Sequence, residues 1–91
     1  MDVVSVGQVV RANAGRDKGN TYLVVGLKVP NGVWLADGRK RRIAKPKMKN
    51  IRHISVLELI DKSVAEKLTV GAKVTDEDIR QALRACECTG E

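Results

Sequence analysis

Aromatic residues are almost absent from this chain: one Trp, one Tyr and no Phe occur among its 91 residues. Platforms that bind single-stranded nucleic acids usually stack bases on several aromatic side chains, so the composition disfavours such a platform. The only histidine is His53, and no serine or cysteine stands at a motif spacing that would pair with it for catalysis. The sequence therefore predicts a non-catalytic protein rather than an enzyme.

Cysteine is also scarce, and the two cysteines, Cys86 and Cys88, stand too close together to cross-link a domain. This usage fits a reducing, cytoplasmic setting, and a lone Cys-x-Cys pair lacks the further ligands of a four-coordinate zinc site. We expect no metal and no cofactor. The N-terminus shows no secretory signal, and no apolar run approaches the roughly 20 residues that span a bilayer, so no membrane partner is expected.

Positive charge is abundant and unevenly placed. Residues 1–53 hold twelve Lys and Arg against three Asp and Glu, whereas residues 54–91 hold five against eight, within a net charge of +6. A basic front half followed by an acidic back half is typical of a polyanion-binding domain with an extension. We therefore predict a barrel domain over residues 1–60 and an acidic helical extension over residues 61–91.

The front half contains short runs of strand-forming residues separated by turn residues. These runs predict strands at residues 8–13, 21–29, 33–36 and 39–45, and a turn followed by a fifth strand within residues 51–59. Hairpin turns are expected at Asn31-Gly32 and Asp37-Gly38. Alternation places Leu23 and Leu27 on one face of the second strand, and Gly26 within it predicts a bend or bulge. Five short strands in fewer than 60 residues predict a mostly β fold, a small antiparallel barrel.

The back half shows helical signals. Thr75 with Asp78, and Ser63 with Glu66, fit the pattern of a capping box. Apolar residues at i, i+3, i+4 and i+7 then form one stripe, which predicts a helix over residues 76–85. The stripe consists of Ile79, Ala82, Leu83 and Cys86. Residues 64–68 are compatible with either a full helix or a single turn.

The basic residues concentrate in one segment, since residues 39–52 hold eight Lys and Arg and no acidic residue. Lys45, Lys47 and Lys49 alternate, so an extended chain would point all three the same way at a spacing of about 6.5–7 Å, which suits successive phosphates. The plainer interpretation is a solvated basic face. Tyr22 and Trp34 could stack on bases, but Trp34 between Val33 and Leu35 is better explained as part of the barrel wall.

A glycine-bounded loop, Gly15-Arg16-Asp17-Lys18-Gly19, joins the first two predicted strands. It lacks the spacing of a nucleotide-binding P-loop, and a strand rather than a helix follows it. Glycines allow positive φ and close backbone approach to a phosphate. Arg16 and Lys18 supply positive charge, and Asp17 is expected to cap the turn.

The stretch VGQVVRANAGRDKGNTYLVVGLK resembles a KOW motif, in which a strand enters a loop with an invariant glycine and leaves on a second strand. The segment RRIAKPKMKNIRHI is similar to the basic segment that closes KOW-domain ribosomal proteins of the archaeal and eukaryotic large subunit, the fourteen-e family. The resemblance covers about residues 6–57. It implies an SH3-like barrel that binds ribosomal RNA. The expected RNA-binding residues are Gly15, Arg16, Lys18, Gly19, Arg39, Lys40, Arg41, Arg42, Lys45, Lys47, Lys49, Arg52 and His53.

These observations predict a cytoplasmic protein whose partner is structured RNA, most simply ribosomal RNA, contacted chiefly through phosphates. RNA binding is expected to survive removal of residues 62–91. The alternative is a protein-interaction module that contacts ribosomal proteins or RNA polymerase through the barrel and the acidic helix. A third interpretation has the acidic tail folding over the basic face as an RNA mimic.

Overall fold

The computed structural model describes residues 4–16 and 18–89, except for the side chains of residues 58 and 86–89. Five strands are followed by two helices, and a short 3-10 turn, Ile51–His53, precedes the last strand. The strands are β1 (Gln8–Ala12), β2 (Thr21–Lys28), β3 (Gly32–Ala36), β4 (Lys47–Asn50) and β5 (Ile54–Ile60). The helices are α1 (Lys62–Val70) and α2 (Asp76–Thr89). None of the described helices is long and apolar enough to cross a membrane.

The strands form one antiparallel sheet in the order β4-β3-β2-β1-β5. The sheet curls into a half-barrel, with β4 and β5 as its edge strands. The mostly β, SH3-like fold with a helical C-terminal part is therefore confirmed.

A hairpin joins β2 and β3 as predicted, but its loop is Val29-Pro30-Asn31 rather than Asn31-Gly32, because Gly32 already belongs to β3 and pairs with Lys28. The register shifts between Val24 and Gly26, which confirms the predicted bulge. A bulge adds one residue to a strand and so exchanges its faces beyond that point. Leu27 consequently stands opposite Val33, on the face of Val24 rather than that of Leu23. The prediction that Leu23 and Leu27 share one face of the strand is therefore wrong.

Each face of the sheet carries its own hydrophobic cluster. The sheet cluster comprises strand residues with Val4 and contains Val10, Ala12, Tyr22, Val24, Val33, Leu35 and Ile54. The helix–sheet cluster joins Val9, Leu23 and Ala36 of the strands to Val64, Val74, Ile79, Ala82 and Leu83. The predicted apolar stripe of α2 is thus buried against the sheet, apart from Cys86, whose side chain lies outside the described residues. Because alternate residues of each strand point to opposite faces, both clusters draw on the same short strands.

The predicted fourth strand over residues 39–45 is wrong. These residues belong to a long β3–β4 connection, and β4 begins only after Pro46. The connection takes its shape from two carboxylates: Asp37 accepts hydrogen bonds from the backbone N–H groups of Arg39 and Arg41, at 2.8 and 2.9 Å. Asp76, on α2, accepts another from Ile43 at 2.7 Å. Backbone donors that a strand would use for its ladder are occupied here by carboxylates, so Asp37-Gly38 is not a tight hairpin turn.

Each helix begins directly after a residue that caps its N-terminus. The backbone N–H of Asp78 donates to Thr75 Oγ1 at 3.2 Å, and that of Thr75 donates to Asp78 Oδ2 at 3.0 Å, which confirms the predicted capping box. The corresponding prediction for Ser63 is wrong, because Asp61 caps α1 by accepting from the backbone N–H of Val64 at 2.9 Å. Residues 64–68 form part of the full helix α1, and α2 extends beyond the predicted residue 85 to Thr89.

Candidate nucleic-acid interface

The glycine-bounded loop between β1 and β2 is closed by backbone hydrogen bonds. The N–H of Gly19 donates to the carbonyl of Ala12 at 2.8 Å, and that of Lys18 to the carbonyl of Gly15 at 3.2 Å. Gly15 and Gly19 have φ values of +78° and +93°, as their role in the turn predicts. Arg16 and Lys18 are exposed, whereas the predicted capping by Asp17 lies outside the described residues. The loop therefore presents two cations on a backbone that only glycine adopts without strain.

The lysines of β4 lie beside this loop. Lys47 and Lys49 are half-buried and stand opposite Leu35 and Val33, so they share the face of the sheet cluster. A Cβ placed on Gly15 would lie 3.9 Å from the Nζ of Lys49, which brings that ammonium next to the loop. Lysine can lay its alkyl stem along apolar surface while its ammonium group stays in water, which is compatible with half-burial at these positions.

Lys45 does not extend the row of β4 lysines. It precedes the strand, in a turn where its backbone N–H donates to the carbonyl of Arg42 at 2.9 Å. The predicted alternating row therefore contains two strand lysines, and Lys45 is exposed on the connection instead.

The turn of residues 51–53 adds two exposed residues, Arg52 and His53. Asn50 caps this turn by accepting from the backbone N–H of Arg52 at 2.9 Å. The backbone N–H of Asn13 donates to the carbonyl of His53 at 3.0 Å and ties the turn to the start of the glycine-bounded loop. Two segments that are distant in sequence, the glycine-bounded loop and the chain from β4 through this turn, are thereby brought together.

The exposed residues Arg39, Lys40, Arg41 and Arg42 lie on the β3–β4 connection, which α2 holds in place. Arg80 Nη1 donates to the carbonyl of Gly38 at 2.6 Å, and Arg80 Nη2 forms an ion pair with Glu77 at 2.7 Å. Gly38 has a φ of +77°, and a Cβ there would lie 2.6 Å from the backbone oxygen of Asp76. The connection and the start of α2 are thus packed backbone to backbone.

A cleft of about 390 Å³ lies between the connection, residues 19–21 and α2. Four cationic side chains line it: Arg39, Lys40, Arg80 and Arg84. Sequence reasoning missed the two helix arginines, because it treated the extension as acidic as a whole. Their i, i+4 spacing on a predicted amphipathic helix is the signal that places them on one face.

The two aromatic side chains are poorly placed to stack on bases. Tyr22 is only 3% exposed, within the sheet cluster. Trp34 is half-buried: a Cβ on Gly26 would lie 3.2 Å from its Cδ1, and Lys28 Nζ lies 5.7 Å from its ring centroid. Among the described residues, no group of three or more His, Cys, Asp and Glu could hold a metal ion.

Comparison with known proteins then places the chain. No known family profile matches it. A protein of Bacillus subtilis (strain 168) named "Putative ribosome-binding protein YbzG" is 32% identical over 71 residues, which span 78% of this chain and 96% of that protein. The chain belongs to the YbzG family. Because 71 matched residues cannot fit within residues 1–60, the similarity to YbzG also includes part of the helical region.

Proposed function

We propose that this chain is a non-catalytic, cytoplasmic, ribosome-associated protein that docks on structured RNA, namely ribosomal RNA. The observation that carries the proposal is the joining of separate basic segments at one side of the half-barrel, through the Asn13–His53 hydrogen bond and the approach of Lys49 to Gly15. The name of the Bacillus relative, "Putative ribosome-binding protein YbzG", supports the same class of partner.

In this proposal the loop between β1 and β2 is a KOW-type contact loop of the kind found in the fourteen-e ribosomal family. Gly15 and Gly19 let the backbone approach a phosphate closely, and Arg16 and Lys18 supply charge. The main phosphate surface consists of Arg39, Lys40, Arg41, Arg42, Lys45, Lys47, Lys49, Arg52 and His53.

Recognition is proposed to depend on RNA shape and phosphate positions rather than on base stacking. The burial of Tyr22 removes one aromatic platform, and the half-buried ring of Trp34 already has Lys28 Nζ 5.7 Å from its centroid. Cationic side chains without an aromatic platform position a protein on the RNA backbone and carry little sequence information.

The test replaces Lys45 and Lys47 together by Gln and measures binding to purified ribosomal RNA over a series of salt concentrations. Each lost phosphate contact lowers the slope of log affinity against log salt by about 0.7–0.9, so the double variant should lose between about 1 and 2 in slope. Binding should weaken on all structured RNAs tested, since phosphates are common to all of them.

The control removes the same charge from the helical part, by Lys62→Gln together with Lys73→Gln, both at exposed positions. The control should retain most of the wild-type slope. A slope that is unchanged in Lys45→Gln/Lys47→Gln, or reduced equally in both variants, would contradict the assignment of the phosphate surface.

A further inference from the structure

The negative charges at the start of α2 are used within the chain. Asp76 accepts from the backbone N–H of Ile43 at 2.7 Å, and Glu77 forms its ion pair with Arg80. Asp78 accepts from the backbone N–H of Thr75 and pairs with Lys67 at 3.2 Å. Each acidic side chain of the first turn therefore has a partner in this fold.

These contacts also stabilise the charged forms of the two carboxylates. Hydrogen bonding from Arg80 lowers the pKa of Glu77, and the backbone hydrogen bond from Thr75 lowers the pKa of Asp78. Asp76 and Asp78 thus fasten α2 to the β3–β4 connection and to α1.

The next turns of α2 bring positive charge to the cleft. Arg80 and Arg84 line it together with Arg39 and Lys40 of the connection, while residues 19–21 close it on the side of the glycine-bounded loop. Among the described residues that line the cleft, Asp37 alone is acidic, and its Oδ1 already accepts two backbone hydrogen bonds. The described lining of the cleft is therefore cationic, and its volume of about 390 Å³ is large enough to admit a phosphate group.

The cleft arginines have different roles. The guanidinium of Arg80 is bonded to the Gly38 carbonyl and to Glu77, so Arg80 positions the connection against the helix. Arg84, Arg39 and Lys40 are exposed along the cleft. Guanidinium groups bind phosphate oxygens through paired N–H donors, and lysine adds a point charge.

We propose that the cleft between the glycine-bounded loop, the β3–β4 connection and α2 binds a phosphate of the RNA backbone, with Arg84, Arg39 and Lys40 as its contact residues. This inference presupposes the proposed RNA-binding function and extends the RNA surface onto the helical region.

The experiment measures binding of the full chain to purified ribosomal RNA for Arg84→Gln, Lys40→Gln and the double variant. Each single variant should weaken binding about tenfold at low salt and lower the salt slope by about 0.7–0.9. If both side chains hold one phosphate, the double variant should lose clearly less than the product of the two single effects. Lys73→Gln, exposed and outside the cleft, serves as the charge-matched control.

The outcomes separate this inference from the proposed function. If the wild type binds ribosomal RNA and Arg84→Gln binds it as tightly as Lys73→Gln does, the cleft assignment is overturned, while the assignment of the β4 lysines Lys47 and Lys49 is unaffected. Strictly multiplicative losses would overturn a shared phosphate and indicate general charge. If the cleft variants lose binding to ribosomal particles but keep binding to protein-free RNA, the ligand of the cleft is not RNA. Absence of wild-type binding to ribosomal RNA would instead contradict the proposed function.

Discussion

The shared cluster of helix and sheet makes a sharp prediction for Ile79→Ala. Ile79 has no exposed surface and packs in one cluster with Val9, Leu23 and Ala36 of the sheet. Truncation would leave a cavity between α2 and the strands. Since the same cluster covers one face of the sheet, the loss should destabilise the whole chain and not the helix alone.

The expected cost of Ile79→Ala is about 2–5 kcal/mol, which combines the lost transfer free energy with the cavity term. A domain of this size has a total stability on the order of 5–15 kcal/mol, so the substitution should remove a large share of it. Each kcal/mol lowers Tm by roughly 4–8 °C in a chain of this length.

Two optical probes can follow the two parts of the fold separately. Trp34 is the only tryptophan and reports on β3, whereas far-UV circular dichroism reports mainly on the helices. Denaturant unfolding of the wild type should give coincident transitions, and Ile79→Ala should shift both by the same amount. Val70→Ala, at a residue that is 70% exposed, should change stability by less than about 0.5 kcal/mol.

A helix signal that melts early in Ile79→Ala while the Trp34 transition stays at its wild-type midpoint would refute this reasoning. It would show that the helices unfold as an appendage of an independently stable barrel. Coincident shifts of the two transitions would instead mean that deletion of residues 62–91 exposes the hydrophobic core. The role of these residues in RNA binding must then be tested by point substitutions rather than by deletion.

Two further predictions concern the junction of α2. Asp78→Asn should lower the free energy of unfolding at about pH 6. The difference in this free energy between the variant and the wild type should shrink as the pH falls below 3.8 and through the lowered pKa of folded Asp78, because the wild type then loses the same charge. A difference that does not depend on pH would contradict the role of that charge. Gly38→Ala should destabilise the chain more than Gly71→Ala in denaturant unfolding. The two glycines have nearly equal φ values, +77° and +78°, but only the Cβ added at Gly38 would lie 2.6 Å from a backbone oxygen, that of Asp76. Equal losses of stability would show that the β3–β4 connection can shift to make room for the added Cβ.

Local signals were sufficient to predict much of the fold. The valine-rich runs, Asn31-Gly32 and Gly26 predicted the first three strands and the bulge, because hairpin chemistry involves residues close in sequence. The Thr75–Asp78 capping box and the apolar stripe predicted α2 for the same reason.

Long-range contacts account for the main failures. Residues 39–45 were predicted to form a strand, but the backbone N–H of Ile43 donates a hydrogen bond to Asp76, 33 residues away in sequence. The cleft lined by Arg80 and Arg84 also depends on the packing of α2 on the sheet. The apolar periodicity of α2 predicts that one face is buried, but it does not predict which element covers that face. The glycine-bounded loop was predictable as a loop, whereas the approach of Lys49 to Gly15 required the curl of the sheet.

The most direct test of ribosome association is sucrose-gradient sedimentation of a native lysate of the host organism, with the protein followed at low and at high salt. The proposal predicts co-sedimentation with ribosomal particles at low salt, expected on the large subunit. Retention at high salt would identify a resident component, and loss only at high salt a peripheral factor held by charge. Absence from the ribosomal fractions at low salt would contradict the proposed function.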